Sequence, residues 1–259
     1  MREGTWNKTN NAYLLVEYIN KGLDPTGLTA PITKVSDRKL RLFLCALRIT
    51  YYPWEGKIDK NARELAEQFA DGLKTAEDLL SVYHATSRQS ISEFLLRPQV
   101  NSAVHEFVDN LHFSHGLKRQ DKVIQHEICR LLRSIVGNPF RPLSKLSRSG
   151  LTTEEVTRRK QTVYGCCNRH ADNTACDCLA LAGELPVWYN DRVRDLAETV
   201  YQERLATYDL DHEVMCVLWD ALEDAGMDGD IATRVHAALT TKKKTYRGFW
   251  PVDWLTGRD

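Results

Sequence analysis

The segment VIQHEICRLLRSIVGNP at residues 123–139 constrains the fold more than any other part of the chain. Its apolar side chains recur at spacings of three and four, which places them on one face of a helix. They are Val123, Ile124, Ile128, Leu131, Leu132, Ile135 and Val136. Gly137 can take the left-handed conformation that ends a helix, and Pro139 cannot continue one. The segment therefore predicts a central amphipathic helix that packs against the periodic segments on either side of it.

Those flanking segments predict further helices with recognisable first residues. The candidate caps are Asn10 or Asn11, Ser36, Thr75 with Asp78 in a capping box, Asn190 or Asp191, and Asp211. The helix after Ser36 is apolar almost all round, so we expect it to be deeply buried. Leu205 and Val217 are assigned to core-facing stripes of two later helices, and the aromatic C-terminal tail is expected to pack inward.

These patterns give an all-α fold. We count roughly ten helices and find no convincing alternating strand. The prediction is a compact multi-helix bundle that forms a single helical domain over residues 1–259, with an inserted Cys-rich loop region at about 143–185.

Charge and hydropathy exclude some classes of function. Lys plus Arg equals Asp plus Glu at 35 each, so net charge gives no general argument for a nucleic acid or an acidic membrane. No apolar run approaches the ~20 residues that span a bilayer, and the N-terminus lacks the apolar stretch of a secretory signal. We therefore expect a cytoplasmic protein without a membrane partner. Cys45, Cys129 and Cys216 lie in apolar helical patterns and are predicted to be reduced core thiols.

Five candidate metal ligands lie in the sequence CCNRHADNTACDC within the inserted region. They are Cys166, Cys167, His170, Cys176 and Cys178. Four thiolate or imidazole ligands can surround a tetrahedral Zn²⁺, and a loop with few apolar residues gains folding energy from such a metal. One or both of the adjacent cysteines would ligate. The alternative is a reduced Cys-rich loop, or a pair of thiols that oxidises under stress.

Other motifs argue against several enzyme classes. His105-Glu106 and His126-Glu127 each match half of HExxH, but Asp109 and Arg130 stand where the second His is needed. The chain also lacks the glycine-rich phosphate loops and the GxSxG nucleophile elbow. An acidic group near the C-terminus is better explained by helix caps and solvated charges than by a cation site. It contains Asp220, Glu223, Asp224, Asp228 and Asp230.

A basic group on the predicted helices suggests a second kind of surface. It contains Arg38, Lys39, Arg41, Lys118, Arg119, Lys122, Arg130 and Arg133. If their helices are neighbours, these cations form a face for phosphate backbones. The alternative is a set of scattered solvated charges, balanced by the acidic C-terminal half. Separately, Arg38, Lys39 and Arg41 in the first turn of the helix after Ser36 are expected to reach solvent or an acidic partner.

Several longer segments resemble a known family. SDRKLRLFLCALR, ARELAEQFADGLKTAEDL, LLRSIVGNPFRP and YRGFWPVDWLTGR occur here in the order found in an uncharacterised bacterial all-helical family with many paralogues. The resemblance covers almost the whole chain and implies one all-helical module, without an activity or cofactor. Between Pro142 and Leu185 this chain departs from the family pattern, in which the connection is much shorter.

The sequence therefore predicts a non-enzymatic helical protein-interaction or accessory module, with a structural zinc site in the inserted loop as its candidate cofactor. The alternative is a nucleic-acid-associated accessory protein that uses the basic helix faces. An enzyme ranks last, because no nucleophile–base pair or open metal site can be named.

Overall fold

The computed structural model describes residues 3–21, 35–53, 56–85, 92–114, 122–138, 186, 188–205 and 207–258. Within these ranges the chain forms twelve helices, ten of them with seven or more residues. The described residues contain no strand, only an isolated antiparallel bridge between Arg204 and Leu210. The all-α prediction is confirmed.

The chain divides into two compact units. Unit 1 comprises Met1–Pro142 and Tyr246–Phe249, and unit 2 comprises Leu143–Thr245 and Trp250–Asp259. The helices of unit 1 are α1 Glu3–Lys8, α2 Ala12–Lys21, α3 Asp37–Tyr51, α4 Lys57–Ala70, α5 Ala76–Ala85, α6 Ser92–Leu96, α7 Val100–Ser114 and α8 Lys122–Val136. Those of unit 2 are α9 Asp191–Gln202, α10 His212–Asp224, α11 Gly229–Leu239 and α12 Trp250–Thr256. The predicted insertion at about 143–185 lies outside the described residues, so the single-domain prediction stays a prediction.

Helix α3 is the central element of unit 1. It packs against α4, α6, α7 and α8, and residues 39–48 are all buried, as its apolar composition predicts. The Ser36 side chain accepts a hydrogen bond from the Lys39 backbone N–H at 3.3 Å and begins the helix as expected. Because α3 is apolar almost all round and its buried cations find partners, it can be covered by four neighbours at once.

Helix α8 ends as predicted, with Gly137 at a φ of +76°. Ile128, Leu131, Leu132 and Ile135 are fully buried in the core of unit 1. The placement of Val123 on this face was wrong, because its side chain is 78% exposed. Val123 precedes Ile128 by five residues, which turns it about 140° away from the buried stripe.

Two other core assignments were also wrong. Leu205 is 44% exposed because it lies beyond the end of α9, where the helical stripe no longer applies. Val217 is 49% exposed because it lies about 100° around α10 from the buried Leu218. Helix α1 was not predicted, since six residues are too few to show a period, although its Trp6 is buried.

Unit 2 is built from α9 packed against α10 and α12, with α11 packed against α10 and α12. Trp254 of α12 is buried, and its ring centre lies 5.6 Å from that of Trp188. The Tyr189 hydroxyl donates a hydrogen bond to the Leu255 carbonyl at 2.6 Å. These contacts confirm that the aromatic tail packs inward. None of the described helices is long and apolar enough to cross a membrane.

Candidate functional site

The predicted zinc ligands Cys166, Cys167, His170, Cys176 and Cys178 all lie outside the described residues. The zinc site therefore stays a prediction from the sequence. Within the part of the chain that the structure describes, no group of three or more His, Cys, Asp or Glu side chains is arranged to hold a metal ion.

The expectation that the α3 cations reach solvent or an acidic partner was wrong for Arg41. Its side chain is buried and donates to the backbone carbonyls of Leu95 at 2.5 Å and Arg97 at 3.0 Å. These carbonyls lie at the C-terminal end of α6, where no further helical N–H can bond to them. Burial lowers the pKa of Arg41. Arg41 therefore works as a structural cap for another helix.

Lys39 departs from the expectation in the same way. It is 6% exposed, and its Nζ donates to the Gly248 carbonyl at 3.2 Å. Arg38 does reach an acid, since its guanidinium lies 3.2 Å from Asp71 Oδ1. The three cations near the start of α3 are thus engaged inside unit 1.

The α8 cations are also engaged internally. Arg133 donates from Nε and Nη2 to the Trp6 carbonyl at 2.9 and 2.6 Å, and from Nη2 to the Thr9 carbonyl. These acceptors lie at the end of α1, so Arg133 fixes that short helix to α8. Arg130 forms an ion pair with Glu127 one turn earlier.

Of the eight residues in the predicted basic face, five therefore form internal hydrogen bonds or ion pairs. Lys122 is exposed at the start of α8. Lys118 and Arg119 lie outside the described residues. Guanidinium groups held by carbonyls and carboxylates are less available for phosphate, because each must first give up an internal bond.

A buried ion-pair network in unit 1 was not singled out from the sequence. Arg63 and Glu67, one turn apart on α4, are almost fully buried and lie 3.1 Å from each other. Arg247 Nη1 lies 3.8 Å from Glu67 Oε2 and 3.4 Å from Asp71 Oδ2. Asp71 also contacts Arg38. The i,i+4 spacing of Arg63, Glu67 and Asp71 was the available signal.

In unit 2, the outer side of α10 carries an acidic stripe with one apolar residue in it. Glu213, Val217, Asp220 and Asp224 follow spacings of four, three and four, and all four side chains are exposed. The buried side of the same helix holds Met215, Leu218, Ala221 and Leu222.

The acids at the end of α10 have an unusual electrostatic setting. Asp220, Glu223 and Asp224 lie where the helix dipole is negative, and the last turn contains no basic residue. Among the described residues, no cation lies within ion-pair distance of these three. On α9, by contrast, Arg194 lies within 3.4 Å of both Asp191 and Asp195.

Caps explain only part of the acidic group. Asp211 caps α10 as predicted, because its Oδ1 accepts from the Glu213 N–H at 2.8 Å. Asp228 occupies the position before α11, but its side chain accepts no capping hydrogen bond there. Asp230 lies in the first turn of α11, where the dipole favours an acid.

The three described cysteines do not share one environment. Cys45 and Cys129 are buried as predicted, and burial raises the pKa of Cys129 to about 11, which keeps it a neutral thiol. Cys216 is only half-buried, so its assignment as a core thiol was wrong. Its Sγ lies 3.8 and 3.9 Å from the two ring nitrogens of His212, one turn earlier.

The chain was compared with protein-family models, with curated proteins and with solved structures, and none of them matches it.

Proposed function

We propose that the protein is a helical protein-interaction module that binds a basic segment of a partner protein on the outer side of α10. The observation that carries the proposal is the group of three exposed acids, Asp220, Glu223 and Asp224, at the negative end of that helix. The asymmetric charge of the sequence supports the same proposal, because Asp191 to Asp230 contains twelve acids and three Arg.

This arrangement lowers the stability of the isolated helix. An acid near a helix C-terminus is unfavourable by about 0.3–1 kcal/mol, and like charges one turn apart add about 0.2–0.5 kcal/mol. Asp220 and Asp224 form such a like-charged pair. Acids placed against the helix dipole are expected on a surface that binds a cation, since the bound cation offsets their unfavourable contribution to stability.

The chemistry of this side of α10 defines the partner segment. Lys or Arg side chains would pair with the three acids, and Val217, 49% exposed in the same stripe, offers a contact for one apolar side chain. We therefore expect a basic segment with an apolar residue about two helical turns from its outermost cation. Because the charges are exposed, binding should weaken as salt is added.

The experiment compares the wild-type chain with a Glu223→Gln/Asp224→Asn variant in quantitative co-purification from the native host. The variant should lose at least about tenfold of one or more basic proteins that the wild type retains at low salt, as expected for the loss of about 1.4 kcal/mol of binding. Its melting temperature should rise, because two charges opposed to the dipole are gone.

The matched control is Glu64→Gln/Glu77→Gln, which removes two charges from unit 1 and leaves α10 intact. This control should retain the same basic proteins as the wild type. Identical sets of proteins on all three baits, with a raised melting temperature in the α10 variant, would show that the acids are only a solvated surface. No observation on the described residues favours the nucleic-acid alternative, which stays a prediction.

A further inference from the structure

The segment Tyr246–Phe249 lies far along the chain yet belongs to unit 1. Tyr246 is 5% exposed and is part of the hydrophobic core of this unit, and Phe249 is 2% exposed. The Thr50 hydroxyl donates to the Tyr246 hydroxyl at 3.3 Å. Both aromatic side chains of the segment are therefore buried.

Its backbone forms a tight turn. The Phe249 N–H donates to the Tyr246 carbonyl at 3.1 Å, and Gly248 has a φ of +87°. A positive φ at the third residue of a four-residue turn, without one at Arg247 in the second place, matches type II, which favours glycine at the third place. The sequence Tyr-Arg-Gly-Phe thus places glycine at the position of the turn where φ is positive.

Close packing against α3 and α8 also requires glycine at position 248. A Cβ atom added to Gly248 would lie 3.0 Å from Leu42 Cβ and 3.2 Å from Ile135 Cγ2. The contact with Leu42 Cβ cannot be relieved by a rotamer change, because that atom is fixed to the α3 backbone. Any larger residue would therefore hold the turn away from α3 and α8.

Polar groups of unit 1 recognise the remaining features of the turn. Lys39 donates to the Gly248 carbonyl at 3.2 Å. The Arg247 guanidinium lies between Glu67 and Asp71, at 3.8 and 3.4 Å. Different groups of unit 1 thus contact each feature of the turn. Thr50 contacts the Tyr246 hydroxyl, the carboxylates contact Arg247, and Lys39 contacts the Gly248 carbonyl.

The two carboxylates that receive Arg247 already have partners of their own. Glu67 pairs with Arg63 at 3.1 Å, and Asp71 pairs with Arg38 at 3.2 Å. Because these pairs form within Met1–Pro142, departure of the turn leaves neither carboxylate as an uncompensated buried charge. The two carboxylates therefore keep a charge partner when the turn is absent.

We propose that this part of unit 1 is a preformed binding site for an arginine–glycine turn flanked by aromatic residues, and that Tyr246–Phe249 occupies it as an intramolecular ligand. The site accepts the same turn as a separate peptide once the chain's own turn is kept out. This is a different surface from the acidic side of α10.

The test uses the full-length chain with Gly248→Val, which keeps every charged group of the site but excludes the chain's own turn. The probe is a fluorescent peptide of residues 242–252, and binding is followed by anisotropy. The variant should bind this peptide at least tenfold more tightly than the wild-type chain does, because the wild-type site is filled.

The matched control is the same peptide carrying Gly248→Val, which has the same charge but cannot form the turn. It should bind at least tenfold more weakly to the variant. Equal binding of the two peptides, or equal binding of the probe to both chains, would overturn the proposal.

A second variant covers the case in which Gly248→Val does not keep wild-type helicity by circular dichroism. Arg247→Ala removes the ion pairs with Glu67 and Asp71 and leaves the backbone and core side chains unchanged. The probe should displace this weakened turn and bind the variant at least tenfold more tightly than the wild type. Failure of Arg247→Ala to bind the probe would overturn the proposal on its own.

Discussion

Thr75 and Asp78 show how two side chains can begin a helix. The Thr75 Oγ1 accepts from the Asp78 N–H at 3.2 Å, and Asp78 Oδ2 accepts from the Thr75 N–H at 3.0 Å. This confirms the predicted capping box, with Asp in the place of the usual Glu or Gln. Thr75→Ala should lower the free energy of unfolding by about 1 kcal/mol, since it leaves an N–H of α5 without this acceptor. Urea denaturation would measure the change, and an unaltered midpoint would contradict it.

The same pair predicts a pH dependence. The backbone hydrogen bond from Thr75 lowers the pKa of Asp78, so its carboxylate is favoured in the folded state. The stabilisation is present above the unfolded pKa of about 3.9 and is lost as the pH falls through the lower folded value. The difference in stability between wild type and Asp78→Asn should therefore be largest near neutral pH and disappear in strong acid. A difference that grew on acidification would contradict this assignment.

The cysteine-rich segment gives a residue-level prediction that rests on sequence alone. If one or both of Cys166 and Cys167 act with His170, Cys176 and Cys178, purified protein should contain about one zinc per chain. Cys176→Ser/Cys178→Ser should remove the metal by elemental analysis. Cys45→Ser is the matched control, because that buried thiol lies in α3 and should not affect zinc content.

Proteolysis separates a local role of the metal from a global one. A chelator should expose residues 166–178 to protease and leave most of the helicity intact, because the metal would hold only this segment. Metal-free protein isolated under reducing conditions, with no new cleavage after chelation, would exclude a zinc site.

At the scale of single helices, α8 offers an internal comparison. Leu132 is fully buried, whereas Val123 on the same helix is 78% exposed. Leu132→Ala should lower the free energy of unfolding by about 2–5 kcal/mol, since it leaves a cavity in the core of unit 1. Val123→Ala should change it by no more than about 0.5 kcal/mol. Thermal or urea unfolding would compare the two, and similar losses would contradict this orientation of α8.

Helices whose signals are local could be predicted from the sequence. Caps such as Ser36 and Asp211 act on residues two or three positions away, so the necessary information lies within one turn. Arg41 could not be assigned in this way, because its acceptor at Leu95 lies 54 residues along the chain. Val217 was misassigned because it lies at the border between the buried and exposed sides of α10. At such a position, the packing of the neighbouring helices decides whether the side chain is buried.

The candidate sites also depend on contacts between residues that are far apart in the sequence. The acidic residues of α10 could be predicted from composition, but only the fold shows that none of the described cations lies within ion-pair distance of them. Arg247 and Asp71 are separated by 176 residues, and no periodicity connects them. The segment RGFW was predicted only to pack inward as part of an aromatic tail, whereas the structure gives each of its first three residues a physical role.

At the scale of the whole molecule, a mutation of Tyr246 tests whether the segment Tyr246–Phe249 stabilises the core of unit 1. Tyr246→Ala should speed hydrogen exchange in α3 and α8, because it removes a buried ring from the core that contains both helices. Mass spectrometry of peptides from these helices would measure the effect.

The matched control is Tyr189→Ala in unit 2, whose hydroxyl bonds to the Leu255 carbonyl of α12. It should speed exchange in α12 and leave α3 and α8 unchanged. Unaltered exchange of α3 and α8 in Tyr246→Ala would show that the segment does not support the core of unit 1.

The position of Tyr246–Phe249 in the sequence has a consequence for the growing chain on the ribosome. About a hundred residues, Leu143–Thr245, must be translated after Pro142 before this turn is made. At about 5–20 residues per second, that takes roughly 5–20 s. During this interval the nascent N-terminal helices lack Tyr246 and Phe249, so the core of unit 1 stays incomplete until the turn has been made. Translation speed through Leu143–Thr245 therefore sets how long each new molecule waits with this core incomplete.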